Sequence, residues 1–192
     1  MTARTHDMFA FGFLLTATVL YPPTSITTPT LVTALVGNVV GALIPDMDQA
    51  SNRLWDLLPA GNFLGKIGRH LFLGHRTISH SILGGYLLYL FLNFTLPKVF
   101  NPDFINTQVL LASVMIGFVS HLFADSLTKE GVPLFFPFSI KVGIPPIKLL
   151  RITTGHFLEN WVVFPSITMY CLYVVYANQE VFLALLHSVR AP

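Results

Sequence analysis

One histidine and one aspartate in this chain stand at the spacing of a single helical turn. His121 and Asp125 are four residues apart within an otherwise apolar run, so on a helix both side chains project from the same face. Imidazole nitrogen and carboxylate oxygen are both zinc ligands, and an ionisable pair in or near a membrane is costly unless it is partnered. The pair therefore indicates a metal site more than a chance occurrence of a common spacing.

Further candidate ligands stand beside other apolar runs. Asp46 and Asp48 follow the second run, and a short polar stretch at the start of the third combines His75, Arg76 and His80 with three hydroxyl side chains. Neutral imidazoles and carboxylates can hold a metal, while a guanidinium suits the bidentate recognition of phosphate. The simpler interpretation, a helix cap with an arginine that reaches lipid headgroups, leaves both histidines without a role.

His6, His156 and Glu159 extend the set of candidates. His6 stands near the start of the first apolar run, and His156 and Glu159, three residues apart, precede the fifth. At that spacing the last two side chains could face one another on a helical turn and provide a further metal position or a general base. A mixture of histidine and carboxylate favours zinc, manganese or iron over calcium, which prefers oxygen ligands.

Other kinds of chemistry find little support in the sequence. It contains no GxSxG, P-loop or dinucleotide-binding glycine motif, and its single cysteine, Cys171, lies within an apolar run away from the histidines. Covalent catalysis and nucleotide-fold chemistry are therefore disfavoured. The net charge is only +2 and the basic residues are scattered, so we predict no nucleic-acid binding.

The composition places the candidate residues in a membrane protein. Of the 192 residues, 53% are hydrophobic and 10% are charged, whereas an average soluble domain has about 25% charged residues. Five apolar stretches approach the roughly 20 residues that a spanning helix needs. They cover residues 8–21, 30–44, 77–96, 107–127 and 161–177, and a shorter apolar stretch continues to Val189. We therefore predict an all-α fold, in which residues 1–192 form one membrane-embedded domain: a multi-span bundle of about five helices with two cytoplasmic loops.

The basic residues predict how this bundle is oriented. Eight of the eleven lysines and arginines lie in two alternate connections, 45–76 and 128–160, and the positive-inside rule places such connections, with the N-terminus, in the cytoplasm. The same topology brings the candidate histidines and carboxylates to that side, although only lysines and arginines define it. Within the second connection, the apolar and turn-rich stretch 131–147 favours an interfacial or re-entrant segment over a soluble loop.

The order and spacing of these motifs resemble those of the YdjM family, bacterial and archaeal inner-membrane proteins regarded as metal-dependent hydrolases. The resemblance rests on His6 and on the segments 45–48, 75–81 and 117–125, with shorter matches downstream as far as Phe138. That family is in turn similar to the zinc-dependent phospholipase C and single-strand nuclease superfamily, all-helical proteins whose clustered zinc ions cleave phosphoesters. By this resemblance the metal ligands would be His6, Asp46, His75 or His80, His121 and Asp125.

The resemblance leaves the number of metal ions open. In the superfamily, a histidine and a glutamate one helical turn apart complete a further metal position, whereas His156 and Glu159 are only three residues apart. One, two or three metals are therefore compatible with the sequence.

Together, the residues and the resemblance predict a metal-dependent hydrolase at the cytoplasmic face of the inner membrane. The cofactor would be a divalent metal, zinc before manganese or iron, that activates water and polarises a phosphoryl or acyl oxygen. The candidate catalytic residues are Asp48, Arg76 and Glu159, with Arg76 holding substrate charge. A phosphoester is the expected substrate. The predicted depth of the site, at the headgroup level, favours membrane lipid as the partner, with a phospholipid or a lipid-linked phosphate as substrate, although a soluble phosphoester could enter from the cytoplasm.

A metal-ion transporter or sensor that uses the same ligands is the alternative function. A transporter is expected to carry polar residues at the midplane of several helices and often an inverted repeat. In this sequence the polar residues end at one interface, with Asn38 and Asn93 as the main exceptions, and no internal repeat is evident. The sequence therefore favours the hydrolase, and it does not indicate an oligomeric state.

Overall fold

Helices make up most of the described chain. The computed structural model describes residues 1–23, 26–48, 78–138 and 140–190. Its six α-helices are α1 (Ala3–Leu20), α2 (Thr28–Leu43), α3 (Ile82–Val99), α4 (Thr107–Ser126), α5 (Phe164–Ala177) and α6 (Gln179–Ser188). The predicted all-α class is confirmed.

Shorter elements connect these helices. A 3₁₀ turn continues α2 through Ile44–Asp48, a second one at Ile78–His80 precedes α3, and a π-helical turn at Glu159–Val163 leads into α5. A third 3₁₀ turn spans Lys148–Leu150. Two strands of two residues each, β1 (Ile26–Thr27) and β2 (Val189–Arg190), pair in parallel.

Four of the described helical segments are long and apolar enough to cross a membrane. They are Thr28–Met47, Ile82–Val99, Thr107–Ser126 and Glu159–Ala177. α1, which carries Arg4, His6 and Asp7 in its first turns, is not among them. The helical bundle is thus confirmed, and the described residues contain four candidate spans where about five were predicted.

Side-chain caps fix where three of the helices begin. The Thr27 hydroxyl accepts a hydrogen bond from Thr30 N at 3.2 Å, and the Ser81 hydroxyl accepts one from Gly84 N at 3.0 Å. Asn106 Oδ1 accepts from two backbone amides of the first turn of α4, at 3.1 and 3.2 Å. These bonds satisfy amides that a helix leaves free at its start. The serine cap sets the start of α3 directly after the second 3₁₀ turn.

The centre of the bundle is a close contact between α2 and α4. A Cβ atom on Gly41 would lie 2.0 Å from Val114 O, and one on Gly117 would lie 2.0 Å from Asn38 O. Only glycine allows the two backbones to approach so closely, as in the small-residue contacts typical of membrane helices. Asn38 Nδ2 also donates to Ser113 O at 3.2 Å, so this buried amide stabilises the same contact.

The other helices pack around this pair. Phe9 of α1 packs in a buried cluster with Ala124 of α4, while Cys171 and Val174 of α5 pack with Leu15 of α1. α3 is peripheral, because in this helix only Gly85 is buried. The result places the starts of α1 and α3 and the ends of α2 and α4 at the same end of the bundle.

Replacing Gly117 by alanine should destabilise the protein by about 2–3 kcal/mol, the upper part of the range for overpacked sites. The reason is that the new methyl group would meet the backbone of α2 rather than a movable side chain. Thermal unfolding in detergent, followed by circular dichroism, measures the effect. Gly12→Ala is the matched control, since its added Cβ would meet only the side-chain ends of Ile167 and Cys171, at 3.2 and 3.3 Å. Equal midpoints for the two variants would contradict the close helix contact.

Candidate metal centre

Five of the predicted ligands meet at one end of the helical bundle. Four elements contribute them: His6 lies on α1, Asp46 on the turn after α2, His80 on the turn before α3, and His121 and Asp125 on α4. They form two groups, His6 with His121 and Asp125, and Asp46 with His80 and His121. Within each group all the donor atoms lie within 4.8 Å of one another. Because the groups share His121, we describe the five residues as one histidine–aspartate cluster.

Both aspartates of the cluster lie between histidine rings. Asp125 Oδ1 is 3.2 Å from His6 Nε2, and its Oδ2 is 3.8 Å from the Nε2 atoms of both His80 and His121. Asp46 Oδ1 is 3.3 Å from His80 Nε2, and its Oδ2 is 3.8 Å from His121 Nε2. Ligand atoms of a tetrahedral zinc with bonds of 2.0–2.1 Å stand about 3.3–3.4 Å apart, so shifts of about 0.5 Å would close these atoms on an ion.

The orientation of His121 fits a metal ligand. Its Nδ1 lies 2.7 Å from the carbonyl oxygen of Ala42, and because a carbonyl only accepts, Nδ1 carries the proton and donates it. In the neutral ring the lone pair is then on Nε2, which faces the carboxylates of Asp46 and Asp125. Among the described residues this buried Nε2 has no hydrogen-bond partner. A lone pair held against two carboxylates by a backbone hydrogen bond on the far side of the ring is the arrangement that orients metal-binding histidines.

The other two histidines are held by different contacts. His80 Nδ1 lies 3.1 Å from the Ser79 hydroxyl, which leaves its Nε2 directed at the aspartates. The His6 ring stacks on the His121 ring with centroids 3.9 Å apart and an angle of 7° between the planes. His80 meets His121 edge-on at a centroid distance of 5.3 Å. Each ring is therefore fixed by a neighbour before any ligand is present.

The cluster is buried except at one residue. The side chains of His6, His80, His121 and Asp125 are almost wholly inaccessible, whereas that of Asp46 is 27% exposed. Among the described residues, the accessible side of the cluster is therefore that of Asp46.

Glu159 is buried near the cluster but belongs to neither group. Its Oε1 accepts hydrogen bonds from the Thr2 amide at 2.6 Å and the Thr2 hydroxyl at 2.7 Å, and its Oε2 accepts from Gly155 N at 2.7 Å. Met1, the residue before Thr2, donates a hydrogen bond from its amine to Asp125 Oδ1 at 2.7 Å. Glu159 thus holds the first residues of the chain in place, and through them the start of α1, which carries His6.

The structure does not bring every predicted residue into the cluster. His156 is exposed and lies outside both groups. Asp48 ends the 3₁₀ turn after α2, and His75 and Arg76 lie outside the described residues. The roles predicted for these four residues remain predictions.

Sequence reasoning missed the groups that orient the ligands. Ser79 is adjacent to His80 in the sequence, so this contact could have been suspected. The carbonyl of Ala42 and the Met1 amine leave no signal in side-chain patterns, because both contacts join backbone atoms to residues far away along the chain.

A bundle of helices, four of them long and apolar enough to cross a membrane, with a buried histidine–aspartate cluster at one end defines this chain as a helical membrane protein with a candidate metal site. The chain belongs to the YdjM inner membrane protein family, whose family model matches residues 1–186. The resemblance seen in the sequence is therefore confirmed.

Curated relatives agree with this assignment. The chain is 32% identical to the uncharacterized protein YvsG of Bacillus subtilis (strain 168) over 176 residues, which cover 92% of this chain and 95% of YvsG. It is 29% identical to the inner membrane protein YdjM of Escherichia coli (strain K12) over 124 residues, which cover 65% of this chain and 58% of that protein. The YdjM protein of Shigella flexneri gives the same values. No solved structure matches the chain significantly.

Replacing His121 by alanine should abolish stoichiometric metal binding, because His121 is the residue that both groups share. Elemental analysis of the detergent-purified protein after incubation with zinc measures the effect. His187→Ala is the matched control, since His187 is exposed on α6, and it should keep the wild-type metal content. Unchanged metal content in His121→Ala would contradict the proposed centre.

Replacing Glu159 by alanine should lower stability by about 2 kcal/mol, because it leaves partly buried donors on Thr2 and Gly155 without their acceptor. Thermal unfolding with and without added metal measures the loss, which should occur in both conditions. Glu130→Ala, at an exposed glutamate, is the control. A purely catalytic Glu159 would give the opposite pattern, with unchanged stability and lost turnover.

Proposed function

We propose that this member of the YdjM family is a metal-dependent hydrolase that cleaves a phosphoester at the cytoplasmic face of the inner membrane. The observation that supports the proposal best is the His121 ring, whose buried Nε2 faces the carboxylates of Asp46 and Asp125 without a hydrogen-bond partner among the described residues. A divalent cation between these groups would accept the lone pair of His121 Nε2 and bind both carboxylates.

The donor set supports zinc as the cofactor. Each group combines two imidazoles with one carboxylate, a three-ligand set of the kind found in catalytic zinc sites that keep a further position for water or substrate. Manganese and iron also accept such ligands. Metal analysis of the purified protein distinguishes the three.

The depth of the cluster supports a substrate at the membrane surface. Asp125 is the penultimate residue of one candidate span and Asp46 the penultimate residue of another. Because a span of about 20 residues covers the hydrocarbon core, residues at its end lie near the level of lipid phosphates. A phospholipid or a lipid-linked phosphate would therefore present its phosphoester at the level of the cluster.

The buried and the exposed residues of the cluster would have different roles. When bound, the metal would lower the pKa of a water molecule and polarise a phosphoryl oxygen. His6, His80, His121 and Asp125 would bind the metal and exclude bulk water from it. Asp46 would bind at the open edge, where substrate arrives. Arg76, outside the described residues, would hold the negative charge of the substrate.

The cytoplasmic orientation is supported by the basic residues on the side of the cluster. Lys129, Lys141, Lys148 and Arg151 lie in the connection that follows α4. The connection at the opposite end of α4, residues 100–106, contains no lysine or arginine. The positive-inside rule then places the cluster on the cytoplasmic side.

Replacing Asp125 by alanine should remove both metal and activity. In detergent-purified protein loaded with zinc, phosphoester and phospholipid turnover should fall by more than about 100-fold, beyond the 10–100-fold that loss of an outer-shell partner costs. Asp46→Ala tests the same point at a partly exposed position, where folding is less at risk. Asp103→Ala, in the exposed connection before α4, is the matched control and should keep full metal and turnover.

The two other outcomes lead to different conclusions. Stoichiometric metal without turnover on any substrate would favour a metal-ion transporter or sensor that uses the same ligands. Absence of metal from the wild-type protein after reconstitution would overturn the metal centre itself.

A further inference from the structure

The connection after α4 carries several large, exposed apolar side chains. We call its described residues 133–138 and 140–150 the shelf. Phe138 is 69% exposed and Leu149 is 82% exposed. The other large exposed apolar residues of the shelf are Phe135, Ile140, Ile144, Ile147 and Leu150. An exposed apolar surface of this size marks a contact with a membrane or with another protein.

Hydrogen bonds to backbone atoms of the shelf hold it in position. Val132 and Val142 exchange two hydrogen bonds of 2.8 Å, and Ile144 N donates to Ser126 O at 2.8 Å. The guanidinium of Arg151 donates to two proline carbonyls of the shelf, at 2.7 and 2.8 Å. Because these polar groups are already paired, this part of the shelf can enter an apolar environment without leaving them unsatisfied.

The shelf lies on the membrane face that carries the histidine–aspartate cluster. It is bonded to Ser126, the last residue of a candidate span, and Leu134 O accepts a hydrogen bond of 3.0 Å from Ile82 N, at the first residue of another. A third span begins at Glu159, shortly after the shelf ends. The shelf therefore lies against the ends of two candidate spans, at the end of the bundle that carries the cluster.

The charge of the shelf is positive. Residues 131–151 contain Lys141, Lys148 and Arg151 and no aspartate or glutamate, and both lysines are exposed. Basic residues next to apolar side chains at a membrane surface attract anionic headgroups.

We propose that the shelf lies in the headgroup layer of the membrane, with Phe138 and Leu149 at the boundary of the acyl chains, and that Lys141 and Lys148 bind anionic phospholipid headgroups. The shelf is thus a lipid-binding surface in its own right. It does not depend on the metal centre or on the hydrolase activity.

Depth-dependent fluorescence quenching tests the proposal on the full chain. The two native tryptophans, Trp55 and Trp161, are replaced by phenylalanine, and Phe138→Trp introduces a single probe. The protein is reconstituted in vesicles of equal amounts of phosphatidylcholine and phosphatidylglycerol, of which one or the other is brominated near the headgroup end of its chains. Leu149→Trp provides a second, independent probe.

Brominated lipid should quench both probes, and brominated phosphatidylglycerol should quench about twofold more than brominated phosphatidylcholine. Combining Lys141→Gln with Lys148→Gln should make the two lipids equal. Lys98→Gln is the matched control, because Lys98 lies near the other end of α3, over the Phe94 ring, and it should leave the difference intact.

Three results would overturn the proposal. Quenching by aqueous acrylamide but not by brominated lipid would mean that the shelf faces water. Protection from both quenchers would mean that a second copy or another protein covers it. Equal quenching by the two lipids with both lysines present would remove the preference for anionic headgroups.

Discussion

The close contact between α2 and α4 determines where the cluster can form. Gly41 and Gly117 let the two backbones touch, and Ala42, the residue after Gly41, thereby brings its carbonyl within 2.7 Å of His121 Nδ1. That hydrogen bond fixes both the proton and the orientation of the ring. The turn that continues α2 then places Asp46 beside the same ring. Larger residues in place of Gly41 and Gly117 would separate the two helices. The hydrogen bond from His121 to Ala42 and the position of Asp46 beside the ring would then be lost together.

The charge of the cluster makes it a candidate site for a cation. Two carboxylates lie against three histidines that are neutral when they serve as ligands, and buried negative charge at a membrane edge is unfavourable unless it is compensated. The Met1 amine offsets part of it through its 2.7 Å contact with Asp125. The carboxylates of Asp46 and Asp125 both face His121 Nε2, at 3.8 Å. A divalent cation bound between them would meet both the lone pair of His121 and the two carboxylates.

The sequence predicted the helices and most of the cluster because both depend on side-chain types. Long apolar runs predict membrane helices, and the one-turn spacing of His121 and Asp125 does place both on one face, in the same group of donors. Contacts made by backbone atoms could not be predicted from side-chain patterns. His156 and Glu159 show the limit most clearly, since their spacing suggested a pair. A π-helical turn begins at Glu159 instead, so its carboxylate is directed at Thr2 while His156 stays exposed.

The end of α4 couples the depth of the cluster to the membrane surface. Asp125 faces the histidines, and the next residue, Ser126, holds the shelf through its carbonyl. Consecutive residues of one rigid helix therefore fix both the cluster and the shelf, and neither can change its depth without the other. If the shelf rests among lipid headgroups, the cluster is held at their level. The exposed edge at Asp46 would then meet phosphoesters at the membrane surface more readily than solutes deep in the cytoplasm, which is a geometric reason to test lipid substrates first.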